Sequence, residues 1–162
     1  MNVRLGIAVA DTKPQSGTER RMVLRLLEFW REAKGDGAFP TPDQLNDAAM
    51  PELFSYCVVL DVSQRPTDPV VIAIGRSMSS YAGANLVGRS ISQFEPNTLP
   101  TYTVAYVAEV LRKRVPISRG GSFVDSHGTT ILYRSMVAPL ARDGKTVTAL
   151  IAAANCREVA SS

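Results

Sequence analysis

The stretch GRSMSSYAGANLVGRSI, residues 75–91, follows an apolar segment and precedes a segment with helical spacing. It contains three glycines, Gly75, Gly83 and Gly88, and the triplet Gly-Arg-Ser occurs in it twice. The glycine spacing matches neither the G-x-G-x-x-G loop of dinucleotide-binding folds nor the phosphate-binding G-x-x-x-x-G-K-[ST] loop. We therefore predict that these glycines are structural, at helix ends and tight turns, and that the stretch links a strand to a helix.

Apolar segments on both sides of this stretch predict a five-stranded antiparallel sheet. Two segments precede the stretch and three follow it, and turn-forming residues such as Asp143-Gly144 separate neighbouring segments. The predicted strands are residues 56–62, 69–75, 116–125, 129–140 and 146–156. Two strands, then helices, then three strands favour an α+β fold over alternating βαβ units.

An amphipathic helix is predicted over residues 18–34, before the sheet. Ser16 and Glu19 have the spacing of a capping box, and Gly35 and Gly37 follow the last helical residue. The apolar stripe of this helix must cover either the domain's own sheet or another subunit. We therefore name its apolar residues as a candidate partner or dimer surface: Val23, Leu26, Leu27 and Trp30.

A second, long helix is predicted over residues 97–114, and it carries two candidate pocket tyrosines. Four-residue spacing places Tyr102 and Tyr106 on one helix face, and strand alternation places Tyr133 on the same face as Ile131 and Val137. Phenolic hydroxyls in an apolar interior either bind a small molecule or hydrogen-bond to backbone at the edge of the core. The candidate ligand-pocket residues are Tyr81, Tyr102, Tyr106 and Tyr133.

The sequence contains no residues with catalytic or metal-binding spacing. His127 is the only histidine and lies among turn-forming residues, so we predict an exposed turn rather than a catalytic base. Cys57 and Cys156 lie far apart in apolar segments, a pattern that indicates neither a zinc site nor a disulfide framework. We therefore predict neither a catalytic residue nor a bound metal.

Composition predicts a single soluble, cytoplasmic domain. The chain has 162 residues, of which 45% are hydrophobic, enough for one core and too few for two ordinary domains. The net charge of +3 is spread along the chain, so nucleic-acid binding is not favoured. No apolar stretch suits a signal peptide or membrane insertion. We divide the chain into an N-terminal extension (1–17), a helix and connector (18–49), a main domain (50–159) and a tail (160–162).

From about residue 24 to residue 159, the sequence resembles the PAS domain family, particularly a variant found in many short alphaproteobacterial regulatory proteins. Segments typical of that variant occur in order as LLEFWREAKGDGAFPTPDQL (26–45), MPELF (50–54) and Leu60-Asp61. The stretch 75–91 matches its pattern G-x-x-[LM]-x-x-x-x-G-x-[DN]-L-x-G-[RK]. The matching residues are Gly75, Met78, Gly83, Asn85, Leu86, Gly88 and Arg89.

The resemblance implies a PAS fold in which the sheet and its facing helices enclose a pocket. Such domains sense small molecules or bind proteins, often as dimers through the preceding helix. We recognise no kinase, cyclase or transcription domain, so the resemblance implies a stand-alone regulator or adaptor that acts on a signalling protein partner. The implied setting is bacterial motility, development or cell-cycle control.

The cofactors of some PAS domains are not expected here. The predicted long helix lacks a histidine for haem, and the flavin-adduct cysteine motif, which lies on a helix in light-sensing domains, is missing. Two alternatives to the adaptor stay open. One is a sensor with a small-molecule ligand among the tyrosines, and the other is a small α+β enzyme with an acid or base in its cavity.

Overall fold

A single sheet forms the centre of the chain. The computed structural model describes residues 9–10 and 17–159, with side chains from residue 21 onward. The predicted cap at Ser16, most of the N-terminal extension and the tail therefore lie outside the described residues. The strands are β1 (Val9–Ala10), β2 (Cys57–Asp61), β3 (Val70–Ile74), β4 (Ile117–Val124), β5 (Thr130–Leu140) and β6 (Ala149–Glu158).

The α+β fold with a five-stranded antiparallel sheet is confirmed. The strands lie in the order β1-β4-β5-β6-β2-β3, and every neighbouring pair from β4 to β3 is antiparallel. The longest ladder joins β5 to β6, from Ile131 opposite Glu158 to Leu140 opposite Ala149. The structure adds the short β1, which pairs in parallel with β4 at Ser118 and Arg119.

Within residues 17–159, four α-helices accompany the sheet: α1 (Gly17–Lys34), α2 (Arg76–Ala82), α3 (Leu99–Thr103) and α4 (Val107–Lys113). Short 3-10 turns occur at Pro42–Leu45, Leu53–Tyr56 and Ile91–Gln93. Of the helices within residues 17–159, none has both the length and the apolar character that a bilayer crossing requires.

The predicted long helix over residues 97–114 is wrong in one respect, because α3 and α4 are separate helices. Between them the amides of Ala105 and Val107 donate to carbonyls three residues back, as in a 3-10 turn. The break follows a run rich in β-branched side chains, which includes Thr103 and Val104 and has low helix propensity. The hydroxyl of Thr103 also bonds back to the Leu99 carbonyl at 2.8 Å, a contact that bends helices.

Apolar clusters cover both faces of the sheet. Alternate residues of β5, including Ile131 and Val137, face α2, α3 and α4, while Met136 and Ala138 face α1. The sheet is therefore the middle layer of three, with α1 on one side and the shorter helices on the other.

The stripe of α1 packs on the chain's own sheet, which corrects its prediction as a partner or dimer surface. Its four residues are at most 6% exposed within the single chain: Val23, Leu26, Leu27 and Trp30. The indole Nε1 of Trp30 also donates to the Pro139 carbonyl at 2.8 Å. Of the two arrangements that the amphipathic pattern allowed, the stripe adopts the intramolecular one because β5 and β6 present small and aliphatic residues to it.

The stretch 75–91 links β3 to α2 and then folds back along the outer edge of β3. The amide of Gly75 donates to the Cys57 carbonyl at 2.8 Å, immediately before α2 begins. Gly83 ends α2 in the left-handed conformation, with φ of 73°. Further on, the amide of Gly88 donates to the Val71 carbonyl, and the Val71 amide donates to the Arg89 carbonyl. These bonds satisfy part of the sheet edge that would otherwise be open to another strand.

Candidate functional site

Three aromatic rings form a cluster between α3 and the sheet. Tyr102 of α3 stacks on Phe123 of β4, with ring centroids 4.4 Å apart and an angle of 13° between the ring planes. Tyr133 of β5 lies tilted against both, at 5.7 Å from Tyr102 and 5.9 Å from Phe123. Because such pairs add to the energy of apolar burial, the cluster holds α3 against the sheet.

The absence of a side chain at Gly121 makes room for this cluster. Gly121 of β4 lies opposite Tyr133 in the ladder. A Cβ atom at position 121 would lie 3.3 Å from the phenolic oxygen of Tyr133, closer than side chains ordinarily pack. The glycine therefore lets the tyrosine ring lean across β4 toward Phe123.

Tyr106 lies deeper and contacts different residues. It is 6% exposed, and its hydroxyl lies 2.7 Å from Oγ of Ser135. Ser135 also donates to the Arg119 carbonyl at 3.3 Å, and Ser118 donates to the Ser135 carbonyl at 3.0 Å. Burial raises the pKa of the Tyr106 phenol, so this group stays protonated across the physiological range.

An ion-pair network connects this buried tyrosine to the surface of α4. The guanidinium of Arg119 lies 4.9 Å from the centroid of the Tyr106 ring and pairs with the Glu109 carboxylate. Glu109 also pairs with Lys113, one helical turn further on, at 2.9 Å. Hydrogen bonds from Lys113 and from Arg119 lower the pKa of Glu109 below its ordinary value. The network thus attaches α4 to β4 with one carboxylate between two cations.

Removing the Tyr106 hydroxyl is expected to destabilise the protein moderately. Tyr106→Phe should lower the free energy of unfolding by about 1–2 kcal/mol, because the Ser135 hydroxyl loses one of its two hydrogen-bond partners. In a double-mutant cycle with Ser135→Ala, measured by urea unfolding, the combined loss should be smaller than the sum of the single losses. Additive losses would show that the two hydroxyls do not interact.

The Glu109 network predicts a specific dependence of stability on pH. Because the folded-state pKa is lowered, ionised Glu109 stabilises the fold above its unfolded pKa, and this contribution is lost as pH falls through the folded pKa. The stability difference between wild type and Glu109→Gln should therefore be largest near neutral pH and shrink below about pH 4.5. Urea midpoints across this range measure it, with the exposed Glu52→Gln as the control for loss of one carboxylate. A difference that is constant with pH would contradict the account.

The remaining candidate residues lie apart from this site. Tyr81 is on α2, where Met78 and Ala82 face the core and Tyr81 remains 37% exposed at the surface. His127 lies in an exposed turn, as predicted, where its amide donates to Oδ1 of Asp125 at 2.9 Å. Among the tyrosines named from the sequence, the structure therefore brings together Tyr102, Tyr106 and Tyr133.

The two cysteines lie on strands and face opposite sides of the sheet. Cys57 on β2 is fully buried in the cluster beneath α1, and this burial raises the pKa of its thiol. Cys156 on β6 is half-buried opposite Tyr133. Within the described residues, no group of three or more His, Cys, Asp and Glu side chains is arranged to hold a metal ion.

Four residues of this site were not predicted from the sequence: Arg119, Phe123, Glu109 and Ser135. Two patterns in the sequence point to three of these residues. Alternation along β4 places Arg119 and Phe123 on the same face as Ile117, which faces the core. The spacing of Glu109 and Lys113 is that of an i,i+4 ion pair on a helix.

The family model of the PAS domain matches residues 19–153, which is most of the chain. The chain belongs to the PAS domain family. PAS domains are signalling and sensory domains that commonly bind partner proteins or small ligands, and they are generally not enzymes. The match covers all but the first two residues of α1, together with β2 to β5 and the first half of β6, so the helix that covers the sheet is included in the family pattern.

Solved structures with a similar fold include several light-oxygen-voltage domains. One is the LOV domain of the blue-light activated histidine kinase EL346 from Erythrobacter litoralis, with 16% identity, a TM-score of 0.47, and coverage of 64% of this chain and 95% of that one. Another is the LOV domain of the blue-light photoreceptor Aureochrome1, with 19% identity, a TM-score of 0.47, and coverage of 72% and 89%. No curated protein sequence matches this PAS chain significantly.

Proposed function

We propose that this PAS protein is a signalling regulator that acts through contacts with another protein. The observation that supports it best is the hydrogen bonding of the deepest candidate pocket residue. The hydroxyl of Tyr106 already pairs with Ser135 inside the chain. Nη2 of Arg119 beside it pairs with Glu109, whereas Nε of Arg119 is buried without a hydrogen-bond partner among the described residues. A hydroxyl that is already paired within the chain gains little from a ligand, because binding first breaks the existing bond.

The surface that contacts a partner is different from the one expected from the sequence. Helix α1 covers one sheet face, and the stretch 88–91 covers part of the β3 edge. The outer side of α1, where Leu24 is 48% exposed, and the surfaces of the shorter helices are available for contact. We propose that a homodimer uses these surfaces rather than the buried stripe. We also propose a bacterial cytoplasmic setting, in motility, development or cell-cycle control.

A small-molecule sensor is the second candidate. The aromatic cluster favours it, because Tyr102 and Tyr133 are only partly buried and present ring faces on which a planar ligand can stack. A haem or a flavin adduct is not proposed. The only histidine lies in an exposed turn, and both cysteines lie on strands rather than on a helix that faces the pocket.

Affinity purification from the cells in which the protein occurs tests the regulator. We expect the folded wild-type chain to retain a partner protein in defined stoichiometry. A folding-deficient variant, Gly75→Ala, is the control for nonspecific capture by exposed apolar surface. Retention of the same proteins by both, or of none by the wild type, would contradict the proposal.

A further inference from the structure

A groove of about 290 Å³ opens between the C-terminal half of α1 and the connector from α4 to β4. It lies apart from the aromatic cluster and the Tyr106 network, with which it shares no residue. Eight residues line it: Leu27, Trp30, Arg31, Lys34, Ala38, Arg114, Val115 and Pro116.

The rim of this groove is positively charged. Three of the eight lining residues are cations, Arg31, Lys34 and Arg114, and none of the eight is acidic. The C-termini of α1 and α4 lie beside it, and each offsets roughly half a positive charge. The lining residues therefore contribute a net positive charge to the rim, and in a concave surface its attraction for anions is concentrated.

Lys34 and Arg114 are held in place by contacts within the chain. Nζ of Lys34 donates to the carbonyls of Gly35 at 3.2 Å and Gly37 at 3.1 Å. The guanidinium of Arg114 lies 5.6 Å from the centroid of the Phe39 ring, and its Nη2 donates to the Lys145 carbonyl at 3.4 Å. Cations that are already positioned lose less conformational entropy when an acidic group binds.

The floor of the groove is apolar. Leu27 and Trp30 are only 5% and 6% exposed, and Val115 and Pro116 form the opposite wall. The volume suits one large side chain or two small ones and falls below that of most drug-sized ligand pockets. A nucleic acid would need a longer basic track and exposed rings for stacking, whereas the ring of Trp30 is buried.

We propose that this groove binds an acidic segment of a partner protein, with an apolar side chain in the groove and carboxylates against the three cations. This inference rests on the proposed regulator function and assigns its partner surface. Because Trp30 and Leu27 also hold α1 on the sheet, a bound segment contacts the same residues that position the helix.

Fluorescence anisotropy with the full chain tests the groove. The probe is a labelled peptide with a central leucine and two glutamates on each side. We expect this peptide to bind, and we expect much weaker binding when lysines replace the glutamates or serine replaces the leucine. Arg114→Glu should weaken binding by roughly tenfold or more. Arg112→Glu alters an exposed cation of the same basic run that does not line the groove, so it should change affinity by less than about twofold.

Several outcomes would overturn the groove proposal. They are equal binding of the three peptides, no binding of the acidic peptide, and equal losses in Arg112→Glu and Arg114→Glu. Because Arg114→Glu removes the contact with Phe39, its thermal midpoint must first match the wild type, and Arg31→Glu provides a second variant if it does not.

Two further measurements distinguish failure of the groove proposal from failure of the proposed regulator function. If the solution mass shows a dimer that Arg114→Glu dissociates, a second copy occupies the groove and the acidic-partner proposal is overturned. If a partner purified from cells is retained equally by Arg114→Glu, the groove proposal fails while the regulator function stands.

Discussion

Replacing Trp30 with alanine is expected to lower the free energy of unfolding by about 3–5 kcal/mol. The ring is 6% exposed between α1 and the sheet, and its Nε1 donates to the Pro139 carbonyl at 2.8 Å. Alanine removes the packed ring, opens a cavity and leaves that carbonyl without its donor. Since Trp30 is the only tryptophan, unfolding should be followed by circular dichroism rather than by tryptophan fluorescence.

Two other substitutions in α1 control this prediction. Leu24→Ala changes an apolar residue of the same helix that is 48% exposed, so its effect should lie within about 0.5 kcal/mol. Trp30→Phe keeps most of the apolar contact but loses the indole donor. Its loss of unfolding free energy should therefore lie between those of Leu24→Ala and Trp30→Ala. If Trp30→Ala is as stable as Leu24→Ala, then α1 does not pack on its own sheet in solution, and the stripe is again available to a second subunit.

Gly75→Ala is expected to have an effect at least as large. A Cβ atom at this position would overlap the Phe54 carbonyl and lie 2.5 Å from backbone atoms of Ser55. Backbone cannot move aside as a flexible side chain can, so the turn before β2 or the start of α2 must shift. We expect a loss in the exceptional range above about 4 kcal/mol, or failure to fold.

Gly88→Ala is the matched control within the same stretch. Its φ is 88°, and a Cβ there would meet no atom within 4 Å. It therefore carries only the strain of a left-handed conformation, about 1–2 kcal/mol. In denaturant unfolding, Gly75→Ala should have a far lower free energy of unfolding than Gly88→Ala. Similar losses in the two variants would contradict the close approach of the Phe54 and Ser55 backbone to Gly75.

The sheet and the first helix were predictable because their signals are local. Alternation or continuous apolar runs marked the strands, and the apolar stripe marked α1, although the strand ends moved by a few residues. The break between α3 and α4 was missed because Tyr102, Tyr106 and Val110 keep helical spacing across it. The 3-10 turn is visible only in the backbone bonds of Ala105 and Val107.

The candidate site was predictable only in part. Periodicity placed Tyr102 and Tyr106 on one helix face and Tyr133 on the strand face of Ile131 and Val137, but it does not tell which side chains meet. The pairing of Arg119 with Glu109 depends on how α4 crosses β4, and the groove depends on how α1 lies beside the α4–β4 connector. Tyr81 was included because it is a tyrosine, although it lies in the last turn of the short α2 and remains 37% exposed at the surface.

We propose that this PAS protein regulates a partner by contact, and that the buried Tyr106 hydroxyl pairs with Ser135 inside the chain rather than with a ligand. Native mass spectrometry of the protein, purified without denaturation from the cells in which it occurs, tests this claim most directly. We expect the mass of the polypeptide alone, or a whole multiple of it. A stoichiometric small molecule that is bound to the wild type and lost in Tyr133→Ala would contradict the claim and identify the protein as a sensor.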